Sequence, residues 1–150
     1  MLKELSGQER GEVAKLLADY WKERGMLKYD AAWAGKYLTE GHRKEIKRDE
    51  FFVYKERGKI IGVVSLITDV SGVAEIRDMI IKPEYRREGH GRKMLSELVE
   101  LAKKRKIRKL YAFIFSRHGR LYESAGFERE GILKSHFAAG ENLAIMSKFL

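Results

Sequence analysis

Between residues 9 and 24 apolar residues return every three or four positions. Val13, Leu16, Leu17, Tyr20 and Trp21 fall on one face, and this spacing predicts an amphipathic helix. Ser6 is placed to cap it and Gly25 to stop it. A weaker helical pattern covers about Ala31 to Ile46, with Tyr29, Trp33 and Tyr37 on one side as a packing stripe. The period then changes. Phe51–Tyr54 and Ile60–Ile67 flank Glu56-Arg57-Gly58-Lys59 and predict a β-hairpin turning at Gly58. A turn at Ser71-Gly72 leads to a third strand, about Val73 to Lys82, completing an antiparallel meander. The helical stretch from Gly91 to Lys104 carries Met94, Leu95, Leu98, Leu101 and Ala102 as its buried stripe. The next strand, Lys109 to Phe115, returns through that helix, so it should run parallel to the third strand. A short helix, Gly119 to Ser124, stops at Gly126. Strands at Phe127–Phe137 and Asn142–Phe149 follow, joined by Ala138-Ala139-Gly140-Glu141. The pattern reads as α+β: one domain over residues 1–150, with helices on both faces of a mixed sheet.

Composition narrows the function classes. There is no Cys, which excludes disulfides, Cys-zinc sites and thiol nucleophiles. Four scattered His residues show no metal-ligand spacing, so no metal is expected. The apolar run Ile60–Ile67 is too short to span a bilayer, and MLKELSGQER has no apolar signal core. A cytoplasmic location is the expectation. Charged residues make up 35% of the chain, with Asn142 the single Asn and Gln8 the single Gln; that combination resembles thermophile proteins. The net charge of +9 is concentrated: eleven Lys and Arg against four Glu between residues 82 and 109 leave +7 there. Part of this suits a helix C-terminus at Lys103–Lys106; the rest would draw in a polyanion.

The most informative stretch is Ile80 to Leu95, where a strand meets Pro83, then Arg86-Arg87-Glu88-Gly89-His90-Gly91, then a helix. A strand–glycine turn–helix junction aims backbone N–H groups outward at the positive end of a helix, a place to hold phosphate. It is not a P-loop: Lys93 follows Gly91 too late and Met94 stands where a hydroxyl is needed. It is not a dinucleotide fingerprint, which needs a third Gly and a later acid.

The flanks are more specific. Ala74-Glu75-Ile76-x-x-Met79-x-Ile81-x-Pro83-x-x-Arg86-x-x-Gly89-x-Gly91 resembles motif A of the GNAT superfamily, the Gcn5-related N-acetyltransferases. Leu121-Tyr122-Glu123-Ser124-Ala125-Gly126-Phe127 resembles its second signature, a Tyr four residues before Gly-Phe. The likeness covers about Phe51 to Leu150. The tail, from Gly126-Phe127-x-x-Glu130-Gly131 to Met146-Ser147-Lys148, looks like the branch that includes ribosomal-protein and polyamine acetyltransferases.

The resemblance implies a single-domain GNAT fold with a mostly antiparallel sheet of six or seven strands flanked by about four helices. It implies acetyl-CoA as co-substrate and an amine as acceptor. The backbone from Arg87 through Glu88, Gly89, His90 and Gly91 to Arg92 would cradle the pyrophosphate. Arg86, Arg87 and Arg92 would add charge-assisted contacts, matching the four or so negative charges of CoA. Met79, Ile80 and Ile81 match the strand segment that holds the pantetheine arm. Tyr122 matches the general acid that protonates the leaving thiolate, and Glu75, fourteen positions before Gly89, matches the general base of the histone-acetyltransferase branch. Elsewhere in the superfamily the base differs or is a water chain, and Asp78 is the reserve candidate if a bulge turns it to the same face. Where many relatives carry an Asn after the fifth strand, Phe115-Ser116-Arg117 stands here, and Ser116 is the residue available for that contact. The fifth strand also lacks the Glu of the N-terminal-amine branch. A direct ternary-complex transfer to a protein N-terminus, lysine or small amine is the leading expectation. A non-catalytic CoA-binding regulatory module is the alternative, a nucleic-acid binder is disfavoured for want of a recognition motif, and a homodimer is left open.

Overall fold

The computed structural model describes Lys3, residues 5–41 and residues 46–150. They form two compact units, divided between residues 45 and 46. In the first, helix α1 (Arg10–Glu23) is followed by α2 (Ala31–Glu40). Gly25 ends α1 as expected, with a positive φ of 74° and its N–H on the Lys22 carbonyl. Ser6 is not the cap. Glu9 stands at the helix start, and its carboxylate accepts both the Ser6 N–H (3.0 Å) and the Ser6 hydroxyl (2.6 Å). Asp30 caps α2 instead, accepting the Trp33 N–H at 2.8 Å. The expected stripe is a self-packed aromatic cluster: Trp33 lies 4.6 Å from Tyr29 and 5.1 Å from Tyr37, and Trp21 of α1 closes on all three. The α2 helix stops at Glu40 rather than near Ile46, because Gly41 takes a left-handed φ of 64°. The rest of the expected helix, residues 42–45, lies outside the described residues, and Ile46 opens a strand.

The second unit is a six-stranded sheet. Its strands are β1 (Ile46–Glu56), β2 (Lys59–Asp69), β3 (Val73–Ile81), β4 (Lys109–Phe115), β5 (Glu128–Ala138) and β6 (Glu141–Phe149), in the order β1-β2-β3-β4-β6-β5. Every neighbouring pair is antiparallel except β3–β4, the expected parallel pair. β1 starts five residues before Phe51, because Lys47, Arg48, Asp49 and Glu50 form a charged edge that reads as loop. The hairpin turns on Arg57 (φ 48°) and Gly58 (φ 77°), the two left-handed positions that match the twist of paired strands.

Helix α3 (His90–Lys104) lies on one face of this sheet, and the short α4 (Gly119–Glu123) joins the same apolar layer. Met94, Leu95, Leu98, Val99 and Ala102 of α3 are buried against Leu66, Ala74, Ile76, Leu110, Ala112, Ala144 and Met146. Val99 takes the buried place expected of Leu101, which stays half-buried beside Phe52. Each fully buried aliphatic side chain contributes about 2 kcal/mol relative to exposure, and this layer fixes α3, and with it the glycine turn, against β3.

Close contact between β2 and β3 holds the same junction from the other side. A Cβ on Gly62 would lie 2.7 Å from the Ile81 side chain and 2.8 Å from the Ile80 carbonyl. Gly62→Ala should therefore cost about 1–3 kcal/mol, as overpacking does, read as a lower urea midpoint at unchanged slope. An unshifted midpoint would show that β3 relaxes away freely.

Candidate functional site

The site begins where β3 and β4 part. They pair only from Val73–Lys109 to Glu75–Tyr111. Beyond that, β3 follows β2 to Ile81 and β4 follows β6 to Phe115, so the strands diverge and leave the outer edge of β3 without a strand partner. The fork is a cleft of about 800 Å³ walled by Glu75, Asp78, Ile80, Phe113, Phe137 and Tyr122 among others. A second cleft, about 620 Å³, lies over the glycine turn. Met79, Ile80, His118 and Leu121 wall both, so one channel runs from the turn to the fork.

The turn aims its backbone into this channel. After Pro83–Tyr85, a single 3₁₀ turn, Arg86 is extended, Arg87 has φ 66° and Gly89 has φ 83° as the first residue of the α3 junction. The first regular helical bond runs from the Lys93 N–H to the Gly89 carbonyl at 3.1 Å. The N–H groups of His90, Gly91 and Arg92 are therefore the orphans of a helix start. The two glycines serve different ends. Gly89 has open space where a Cβ would stand, but its left-handed φ disfavours a side chain. Gly91 is ordinary helix, and its absent Cβ would point at Leu121 (3.7 Å) and Met79 (3.9 Å), into the channel. The residues present suit a pyrophosphate: donors on the backbone, open space beside Gly89, and guanidinium groups on the walls.

Arg86, Arg87 and Arg92 wall the cleft over the turn, joined by Arg117 and His118, which the sequence did not point out. Arg86 also has a structural task, its Nε donating to the Ile81 carbonyl at 2.8 Å and tying the turn to the end of β3. Neither Glu88 nor His90 walls the channel. The His90 ring is buried on the other side, its Nε2 3.4 Å from both Glu56 and Glu88. Ser116 is exposed and walls neither cleft. Its neighbour Arg117 does, with its guanidinium 4.4 Å over the Phe115 ring. Of the remaining basic cluster, Lys103, Arg105 and Lys109 pair with Glu100, Glu50 and Glu130. The concentrated charge thus divides between structure and site.

At the fork, Glu75 is buried at the last position of β3 paired with β4. Its Oε1 accepts the Arg77 Nε–H at 2.6 Å and its Oε2 the Tyr111 hydroxyl at 3.3 Å. Burial, then the Glu75 charge, pushes the Tyr111 hydroxyl up. A bulge does intervene beyond it. The register slips between Val63–Ile80 and Ser65–Arg77, and Asp78 has φ 50°. Asp78 is thereby turned onto the fork, its carboxylate accepting the Ser65 hydroxyl at 3.0 Å. Tyr122 is buried across from it, packed on Phe127, with its hydroxyl 3.6 Å from the Met79 sulfur. Desolvation pushes that phenol up to about 12, so it stays protonated at neutral pH. Burial and Arg117 push His118 down. Among the described residues no group of His, Asp or Glu is arranged to hold a metal ion, and no helix is long and apolar enough to cross a membrane.

A sheet that forks beside an anion-accepting helix start, with a buried tyrosine at the fork, defines a class of acyl-transferase folds. The model of the acetyltransferase (GNAT) family matches residues 12–127, and this chain belongs to that family. An uncharacterized N-acetyltransferase of Methanocaldococcus jannaschii is 31% identical over 115 residues, covering 69% of this chain and 48% of that protein. The chain spans about half the length of the curated relatives it matches. Among solved structures, a Bacillus subtilis acetyltransferase in complex with CoA shares the fold at TM-score 0.64 and 19% identity, over 100% of this chain and 97% of that one. The ribosomal-protein-S18-alanine N-acetyltransferase of Escherichia coli does so at TM-score 0.62 and 24% identity, over 77% and 76%.

Tyr122 leaves a mark on stability. Unfolded, its phenol ionises near pH 10; folded, it holds its proton to about 12. The contribution is intact below pH 10 and is lost as pH rises toward 12, by about 2–3 kcal/mol at the upper end. Urea midpoints at pH 9 and 11.5 should fall further for the wild type than for Tyr122→Phe; equal losses would place the hydroxyl in water.

Proposed function

We propose that this chain transfers an acetyl group from acetyl-CoA to a primary amine, directly within a ternary complex. The observation that carries the reading is the single channel joining the orphan N–H groups of the glycine turn to the buried Tyr122 hydroxyl. Family membership and the CoA held by the B. subtilis relative support it. Phosphates fit the N–H groups of His90, Gly91 and Arg92, with Arg86, Arg87, Arg92 and Arg117 around them. The amides of a pantetheine arm fit the unpaired edge of β3 along Met79, Ile80 and Ile81, as an added strand would. When bound, acetyl-CoA supplies a thioester carbonyl and a thiolate leaving group.

The rest is done by side chains of the fork. Tyr122, neutral and desolvated, donates its proton at the phenolic oxygen, the task of a general acid. The acceptor arrives as an ammonium, with a pKa near 10.4 for lysine or near 8 for an α-amine, and must lose a proton to attack. Glu75 and Asp78 are the carboxylates at the fork that can take it, directly or through water. Both Glu75 oxygens already carry donors, whereas one Asp78 oxygen is engaged by Ser65. Two carboxylates with Phe113 and Phe137 beside them suit a cationic amine. A protein N-terminus, a lysine or a small amine all meet that description.

Two variants and one screen test this. Tyr122→Phe should lower kcat by about ten-fold or more while calorimetric CoA affinity is kept; undiminished turnover removes Tyr122 from the chemistry. Gly91→Val, which fills the channel without straining the helix, should abolish CoA binding, and retained affinity removes the cradle. A mass-spectrometric panel of peptides, polyamines, amino acids and aminoglycosides should yield an acetylated product. CoA binding with no product across the panel would leave the non-catalytic module.

A further inference from the structure

The glycine turn contains an acid in the wrong place. Glu88 lies between Arg87 and Gly89, inside a segment whose backbone and neighbouring arginines suit an anion. A carboxylate free to swing there would repel phosphate. It does not line the channel. Its carboxylate, still exposed to solvent, stands 3.4 Å from Nε2 of His90, and Glu56 from the end of β1 approaches the same nitrogen at the same distance. The imidazole is 5% exposed, flanked by the rings of Tyr54 (6.1 Å) and Tyr85 (6.2 Å). Its Nδ1 is buried with no hydrogen-bond partner. A buried polar atom without a partner costs stability, so this ring is not explained by packing alone.

We infer that His90 is a positioning residue of the phosphate cradle: it captures Glu88 on the far side of the turn and so keeps a negative charge off the bound anion. The inference rests on the acetyl-CoA reading above. The groups facing the ring are Glu56 and Tyr54 from β1, Tyr85 from the 3₁₀ turn, and Glu88 from the turn itself. Two carboxylates stand 3.4 Å from one imidazole nitrogen, and without the ring Glu88 would be free to add its charge beside the bound anion. The sequence position already guarantees the coupling distance, since the His90 N–H is one of the cradle donors.

The test is calorimetric binding of dephospho-CoA, at one pH and low salt, to the wild type and to variants of the pair. His90→Gln should weaken affinity by about five-fold, the size of one added charge at partly screened range. Glu88→Gln changes an exposed side chain, so it tests the idea even where the His90 variant unfolds; it should bind more tightly than wild type. Adding Glu88→Gln to His90→Gln should restore affinity, which a merely structural role for the ring would not allow. A Glu88→Gln variant that binds no more tightly than wild type, or a His90→Gln loss that Glu88→Gln does not restore, overturns the inference while leaving CoA binding in place. No binding by the wild type would remove the acetyl-CoA reading as well.

Discussion

The architecture turns on one divergence: β3 is paired to both β2 and β4 only as far as Glu75. After the three pairs from Val73–Lys109 to Glu75–Tyr111, each strand keeps its antiparallel partner, and the parallel contact is given up. Antiparallel pairing is slightly the more stable per residue, so the short parallel seam is the one that opens. The bulge at Asp78 deepens the opening by adding local twist to β3. A non-glycine residue at φ 50° is strained, and the Ser65–Asp78 hydrogen bond offsets part of that cost. The same strain places a second carboxylate at the fork. A regular strand would have turned Asp78 to the opposite face and left Glu75 alone.

What the fork opens, the α3 junction completes. The buried stripe of α3 fixes the helix axis, and Arg86 bonds the Ile81 carbonyl, so the turn cannot drift from the end of β3. Burial of Tyr122 belongs to the same packing: its ring is a member of the apolar layer, while its hydroxyl is the polar point of that layer that meets the fork. One set of contacts thus holds both ends of the channel. A substitution that loosens the layer should be felt at the turn and at the fork together.

Much of this was legible in the residues. The meander, the parallel return through α3 and the last hairpin follow from long periodic stretches, and the glycine turn from its flanking motif. The omissions have physical causes. The first half of β1 is an edge whose exposed charges carry no alternation. The α2 stop depends on one left-handed glycine inside a pattern that still reads as helix. A single inserted residue such as the Asp78 bulge leaves no signal in a period-two pattern, although it decides which carboxylates face the fork. Arg117 and His118 sit in a connection, where spacing says nothing about direction. Conversely, His90 and Glu88 were included for their place in the motif, and only the fold shows that neither walls the channel and that the His90 ring is buried.

The channel is electrically polar along its length. Arginines surround the turn, where the helix dipole adds positive charge, and Glu75 and Asp78 stand at the fork. In the reaction proposed above, an anionic body with an acyl end would take one half, and a cationic acceptor the other. Tyr122 sits where the two meet, beside two carboxylates. Were its phenol ionised, the fork would carry a further negative charge. Burial prevents this by the plainest means, since an apolar surrounding penalises the charged form whatever the neighbours do. The hydroxyl's recorded acceptor, the Met79 sulfur, is soft and weak, so little is lost when that proton turns to a better acceptor in the channel. A tyrosine fixed by strong hydrogen bonds would be as well placed and far less available.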